Sequence, residues 1–142
     1  LQGTLVFSPP GVGKTTYLKS IAHLLSFEYR VGIADERYEL SGGIYKMADI
    51  CSGCKKKDAI ELLTRTMSPQ VIVCDEISES ESEGVRNAQN SGAVLVASCH
   101  GGSIMQVLKR DFIKKMIENG VFSVALELYF EQNERKTRIH TL

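Results

Sequence analysis

Ser8-Pro9-Pro10-Gly11-Val12-Gly13-Lys14-Thr15-Thr16 decides the fold. It lies between an apolar, strand-like run (Thr4-Leu5-Val6-Phe7) and a helix-like run from Tyr17 to Leu25. A glycine-rich turn between strand and helix, closed by Lys-Thr, is the setting of a phosphate-binding loop. Glycines let successive backbone N–H groups close around a polyphosphate, and the next helix points its positive end at the same anion. Pro10, Gly11, Val12, Gly13, Lys14, Thr15 and Thr16 are therefore expected to hold a nucleotide. Lys14 supplies a point charge to the β/γ-phosphates, and the Thr15 hydroxyl supplies a hard oxygen for Mg²⁺. Ser8 stands where the first glycine of G-x-x-x-x-G-K-[ST] is usual, and it is small enough to leave the loop possible.

Outward from the loop, strand-like and helix-like runs alternate. Val31-Gly32-Ile33-Ala34 ends in Asp35-Glu36-Arg37, and Val71-Ile72-Val73-Cys74 ends in Asp75-Glu76. Ala93-Val94-Leu95-Val96-Ala97 ends in Ser98-Cys99-His100-Gly101-Gly102. Apolar spacing predicts helices over 15–26 and 57–67, a polar helix over 80–91 closed by Gly92, and two short helices over 103–109 and 111–118. Residues 38–54 read as loop, and 121–130 with 135–141 as a hairpin around Gln132-Asn133-Glu134. Five or six short apolar strands alternating with helices imply one α/β domain over residues 1–142. Its sheet is mainly parallel, with helices on both faces and a C-terminal β-hairpin. Ligands of such sheets bind at the carboxyl ends of the strands. The phosphate loop, Asp35-Glu36, Asp75-Glu76 and Ser98–His100 are thus expected to converge on one edge.

The chemistry expected there is phosphoryl transfer to water, which asks mainly for positioning and charge neutralisation. Val71–Glu76 has the form of a Walker B strand: Asp75 is expected to hold Mg²⁺ opposite Thr15, and Glu76 to orient and polarise the attacking water. Glu36 competes with Glu76 for that role, while Asp35-Glu36-Arg37 is equally readable as a capped, ion-paired loop. His100 can sense a γ-phosphate, because a histidine donates to phosphate oxygens, or it can cap a helix. Lys55-Lys56-Lys57 reads as a solvated basic face or as a phosphate or nucleic-acid contact.

Composition excludes several classes. Charged residues make up 24% and hydrophobic ones 43%, with 17 basic and 17 acidic residues giving zero formal net charge. Neutrality argues against nucleic-acid binding by this domain. No apolar run approaches the roughly 18 residues of a membrane span, and no signal peptide opens the chain. Cys74 and Cys99 lie in or beside apolar runs, while Cys51 and Cys54 form a lone C-x-x-C without a second ligand pair. Unpaired thiols fit a cytoplasmic setting. The chain begins without Met almost on a strand and is expected to be a fragment of a longer protein.

Over nearly its whole length the chain resembles the ATPase domain of the stage III sporulation protein AA family, related to the ATPases of type II and type IV secretion systems. The resemblance is carried by Pro9–Thr16, by Ile33-Ala34-Asp35-Glu36-Arg37-Tyr38-Glu39-Leu40, by Asp49–Cys54, by Met67–Ile77 and by Ala97–Gly101. It implies a RecA-like P-loop NTPase that binds ATP and Mg²⁺ and hydrolyses ATP. It also implies a homo-oligomeric ring in the full-length protein, partnered by membrane-channel proteins of the sporulation apparatus. Such a protein would be cytoplasmic, or peripheral at the membrane through partners, and would energise a channel between mother cell and forespore. Cys54 then belongs to the family pattern rather than to a zinc site. Three features depart from the family: Ser8, Ser78 in place of a glycine after Asp-Glu-Ile, and a short loop around Gly42-Gly43. Two other functions compete with hydrolysis: a nucleotide-gated binding module with little turnover, and the ATPase core of a nucleic-acid-associated protein. A small-molecule kinase would need a lid with clustered arginines, whereas Arg65, Arg86 and Arg110 are dispersed.

Overall fold

Four of the five residues of Thr4–Ser8, strand β1, are buried, which is why this strand lies inside the sheet. The computed structural model describes residues 1–142. After β1 come α1 (Lys14–Leu25), β2 (Val31–Asp35), β3 (Ala48–Ser52), α2 (Lys56–Met67) and β4 (Val71–Cys74). Then follow α3 (Ser82–Asn90), β5 (Val94–His100), α4 (Ile104–Leu108), α5 (Asp111–Glu118), β6 (Val124–Glu131) and β7 (Glu134–Thr141). The seven strands stand in the order β3-β2-β4-β5-β1-β6-β7. Every neighbouring pair is parallel except β6 and β7.

Side-chain alternation divides the interior into two cores. Leu5, Phe7, Ile72, Cys74, Leu95, Ala97 and Cys99 pack with the buried faces of α2, α3, α4 and α5. Val6, Val71, Val73 and Val96 point the other way, onto Leu18 and Ala22 of α1. Helices therefore cover both faces of the sheet. No helix is long and apolar enough to cross a membrane.

Three expectations are corrected. Residues 38–54 are not all loop, since they contain β3. This strand pairs only with β2 at the sheet's edge, and Asp49 and Ile50 are both exposed, so it lacks the apolar run of its neighbours. The helix over 80–91 is a 3₁₀ turn, Glu79–Glu81, followed by α3. There the Glu81 carboxylate turns back to accept from the Ser78 N–H and hydroxyl in a capping box. β5 runs on through Ser98 and Cys99 to His100, because Ser98 and Cys99 are buried and His100 pairs with Ser8 of β1. The hairpin stands as expected: Gln132 and Asn133 take φ of 51° and 62°, the left-handed pair that a two-residue hairpin turn requires.

Candidate nucleotide-binding site

The loop between β1 and α1 owes its shape to two glycines. Gly11 and Gly13 adopt φ of 81° and 94°, a region other residues enter only under strain. Gly13 is the N-cap of α1, so the first helical N–H groups open toward the loop. Lys14 is 6% exposed, with its ammonium folded back over the sheet edge. Ser8 is fully buried at the end of β1, its hydroxyl donating to Pro9 O at 2.7 Å and its carbonyl accepting from Gly101 N–H.

The ends of β1, β4 and β5 meet there. Lys14 Nζ is 2.8 Å from His100 Nδ1 and 3.9 Å from Glu76 Oε1, and His100 Nε2 is 2.9 Å from the same carboxylate oxygen. One residue away, Thr15 Oγ1 donates to Asp75 Oδ2 at 2.8 Å. Asp75 Oδ1 accepts from the Ser98 hydroxyl and from Glu76 N–H. Lys14, Thr15, Asp75, Glu76 and His100 thus form one hydrogen-bonded group. The parallel register that pairs Cys74 with Ala97 and Ser8 with His100 brings them together.

Glu36 lies apart from this group. It is exposed and accepts from Lys56 N–H at 3.3 Å, at the start of α2. Asp35 is 2% exposed and spent on the backbone, accepting from Glu39 N–H and Ser41 N–H at 2.8 Å each. Arg37 is exposed near the phosphate loop. Sequence reasoning gave no role to Glu39, whose carboxylate reaches Thr15 Oγ1 at 3.4 Å. Tyr38 in the left-handed region, φ 59°, turns the chain there. Ser98 is expected at this edge from the sequence, but with no role of its own. Arg135 of β7 gives no such signal: a Cβ on Gly13 would stand 2.8 Å from its Nη1.

Two carboxyl groups depart from their ordinary behaviour. Burial pushes Asp75 up, but hydrogen bonds from Ser98, Thr15, Glu39 and Glu76 N–H outweigh it and hold Asp75 below the usual carboxylate range. Glu39 moves the other way. Its hydrogen bond to Asp75, its burial and the Asp75 charge all raise it. A hydroxyl and an ionised carboxylate 2.8 Å apart form a hard-oxygen donor set that fits Mg²⁺, which holds few protein ligands and keeps its water. Two positive-φ glycines beside a buried lysine fit a polyphosphate. At the far side of β3, Cys51 Sγ and Cys54 Sγ lie 3.3 Å apart as thiols.

The family profile described as Sporulation stage III, protein AA, matches residues 1–140. Stage III sporulation protein AA of Bacillus subtilis is 33% identical over 140 residues, which cover 88% of this chain and 46% of that protein. The chain therefore spans about half the length of this relative. Among solved structures, the VirB11 ATPase of the Brucella suis type IV secretion system, in complex with sulphate, superposes with a TM-score of 0.74. The match has 17% identity and covers 99% of this chain and 48% of that one. The Legionella pneumophila ATPase DotB gives a TM-score of 0.66 at 12% identity, over 97% and 44% of the two chains. These likenesses establish the RecA-like fold.

Proposed function

The chain belongs to the family described as Sporulation stage III, protein AA, and from that premise we propose that it is an Mg²⁺-dependent ATPase domain converting ATP and water to ADP and phosphate. The observation that carries this is the single hydrogen-bonded group of Lys14, Thr15, Asp75, Glu76 and His100 at one sheet edge. Residues 10–16 bind the polyphosphate through backbone N–H groups, and Lys14 neutralises the β/γ-phosphates. Thr15 and Asp75 would hold Mg²⁺, which neutralises charge on the phosphate oxygens when bound. Glu76 accepts a hydrogen bond from the attacking water and aligns it, and His100 holds the Glu76 carboxylate in place through Nε2. Glu76 is favoured over Glu36, because Glu76 is bridged to His100 and Lys14 whereas Glu36 bonds the Lys56 N–H.

In the longer protein the domain would work in a homo-oligomeric ring with sporulation-channel proteins, energising a channel between mother cell and forespore. That role rests on the family resemblance. The test is steady-state ATP turnover with Mg²⁺ in the parent, Lys14→Ala and Glu76→Gln proteins. Each substitution should lower turnover by on the order of 100-fold; equal turnover in all three would overturn the assignment. One observation favours a second function, a nucleotide-gated module with little turnover: Lys14 and Glu76 are engaged with one another and with His100. Tight ATP binding without hydrolysis in the full-length protein would select it.

A further inference from the structure

The basic run Lys55-Lys56-Lys57 opens α2, and its three side chains differ. Lys55 and Lys57 are exposed, whereas Lys56 is half-buried and reaches under the end of β4. Its ammonium donates to the main-chain carbonyl of Asp75 at 2.8 Å and to that of Glu76. Its own N–H donates to Glu36 Oε2. One ammonium, carrying three N–H donors, thus binds two successive carbonyls of the segment that carries the site's two central acids.

That segment is under backbone strain. Glu76 takes φ of 50° without being glycine, a conformation that persists only where the surroundings over-determine it. From the β5 side, Glu76 N–H is held by the Ser98 hydroxyl and Ile77 N–H by Ser98 O, while Asp75 Oδ1 accepts from Glu76 N–H within the turn. From the α2 side, Lys56 is what holds the carbonyls. Freed there, the turn can relax toward negative φ, which swings the Glu76 carboxylate away from His100 and the Asp75 carboxylate away from Thr15.

We infer that Lys56 is a positioning residue that clamps the Asp75–Glu76 turn by its carbonyls and so aims both carboxylates; its catalytic consequence rests on the ATPase function proposed above. Lys56 touches no phosphate in this role, and the clamp requires a donor-rich cation rather than bulk. Arginine can replace it in part; methionine, with a similar stem and no donor, cannot.

The experiment compares the parent with Lys56→Met and Lys56→Arg. Amide hydrogen exchange at Glu76 and Ile77 is read without nucleotide, alongside kcat for ATP and the Kd of a fluorescent ATP analogue. Lys56→Met should speed exchange at these two amides by about tenfold or more, as a locally released turn does. Its kcat should fall about tenfold or more while Kd moves less than about threefold, the signature of lost alignment rather than lost binding. Lys56→Arg should recover part of both. Should Lys56→Met fail to fold, Lys56→Leu, also without a donor, carries the same comparison. Unchanged exchange at Glu76 and Ile77 would overturn the clamp, and so would a Kd that weakens in step with kcat. Accelerated exchange in Lys56→Met, with no turnover even in the parent, would overturn the ATPase function and leave the clamp standing.

Discussion

Lys14 Nζ stands 2.8 Å from His100 Nδ1, and the opposite ring nitrogen of His100 stands 2.9 Å from Glu76 Oε1. A lysine ammonium only donates, so Nδ1 must accept, and the ring proton therefore sits on Nε2 and points at the carboxylate. His100 is in this way a two-ended bridge, from the phosphate loop to the acid at the end of β4. On the proposed nucleotide binding, a phosphate that draws Lys14 away would leave Nδ1 unbonded, and the bridge would change character.

His100→Ala should accordingly lower kcat for ATP by on the order of 10- to 100-fold with a smaller change in nucleotide affinity, since it removes orientation of Glu76 more than it removes binding. Steady-state kinetics and equilibrium binding of an ATP analogue check this. Nitrogen-15 NMR of the parent should show an unprotonated Nδ1 without ATP and a perturbed Nδ1 signal with it.

Ser98→Ala removes a charge-assisted hydrogen bond to Asp75, for which about 1.5–3 kcal/mol of stability is expected to be lost near neutral pH. The sign with pH follows from Asp75 being held below its ordinary value of 3.8. A depressed carboxyl contributes stability above its unfolded pKa and loses it as pH falls through the folded one. The gap between parent and Ser98→Ala should therefore be full at neutral pH and should close in acid. Glu39 is raised from 4.5, so its contribution is complete below that value and fades as pH rises through its folded pKa. Chemical denaturation in EDTA across this pH range checks both trends.

Much of the site was legible because its parts are local. A glycine-rich turn announces its own φ demands, and apolar runs ending in Asp-Glu or Ser-Cys-His announce the strand ends of a parallel sheet. What escaped depends on long-range contacts. β3 gives a weak signal because an edge strand with Asp49 and Ile50 exposed need not be apolar. Asp35-Glu36-Arg37 was readable either as catalytic or as a capped loop; Asp35 accepts from two backbone N–H groups and Glu36 from the Lys56 N–H, partners that only the folded chain brings near. The left-handed Tyr38 turns the chain so that Glu39 reaches Thr15 instead. Lys56 was indistinguishable from its two neighbours until β4 was placed beside it.

The four cysteines should separate into two pairs by reactivity. Burial pushes Cys74 up to about 12 and Cys99 up to about 11, so neither offers thiolate near neutrality. Cys51 is also raised, first by burial and then by Cys54, but both are partly exposed. Titration of the native protein with an aromatic disulfide reagent at mildly alkaline pH should modify only Cys51 and Cys54, with Cys74 and Cys99 reacting after unfolding. With peroxide, intact mass should show the loss of two hydrogens, placed between Cys51 and Cys54 by peptide mapping. Fast labelling of Cys74 in the native state would contradict the packing described.

Ser78 departs from the glycine usual after Asp-Glu-Ile, and its hydroxyl and N–H both bond Glu81. Ser78→Ala is expected to cost about 1 kcal/mol of stability, the usual worth of a helix cap, and to leave nucleotide affinity unchanged. Thermal melting with and without an ATP analogue separates the two effects.

The register that sets Ser8 against His100 and Cys74 against Ala97 ties the site to correct strand pairing. Strand side chains alternate, so a one-residue slip of β5 would present Cys99 to the loop in place of Ser98 or His100. A mispaired sheet would keep nearly all of its helix and strand content and the loop of residues 10–16, yet lose the Ser98 and His100 side chains that β5 sets beside Asp75 and Lys14. On the nucleotide binding proposed above, ATP would then select among folded arrangements as well as between folded and unfolded chains. At a concentration 100 times its Kd it would favour the correctly paired sheet by about 2.7 kcal/mol.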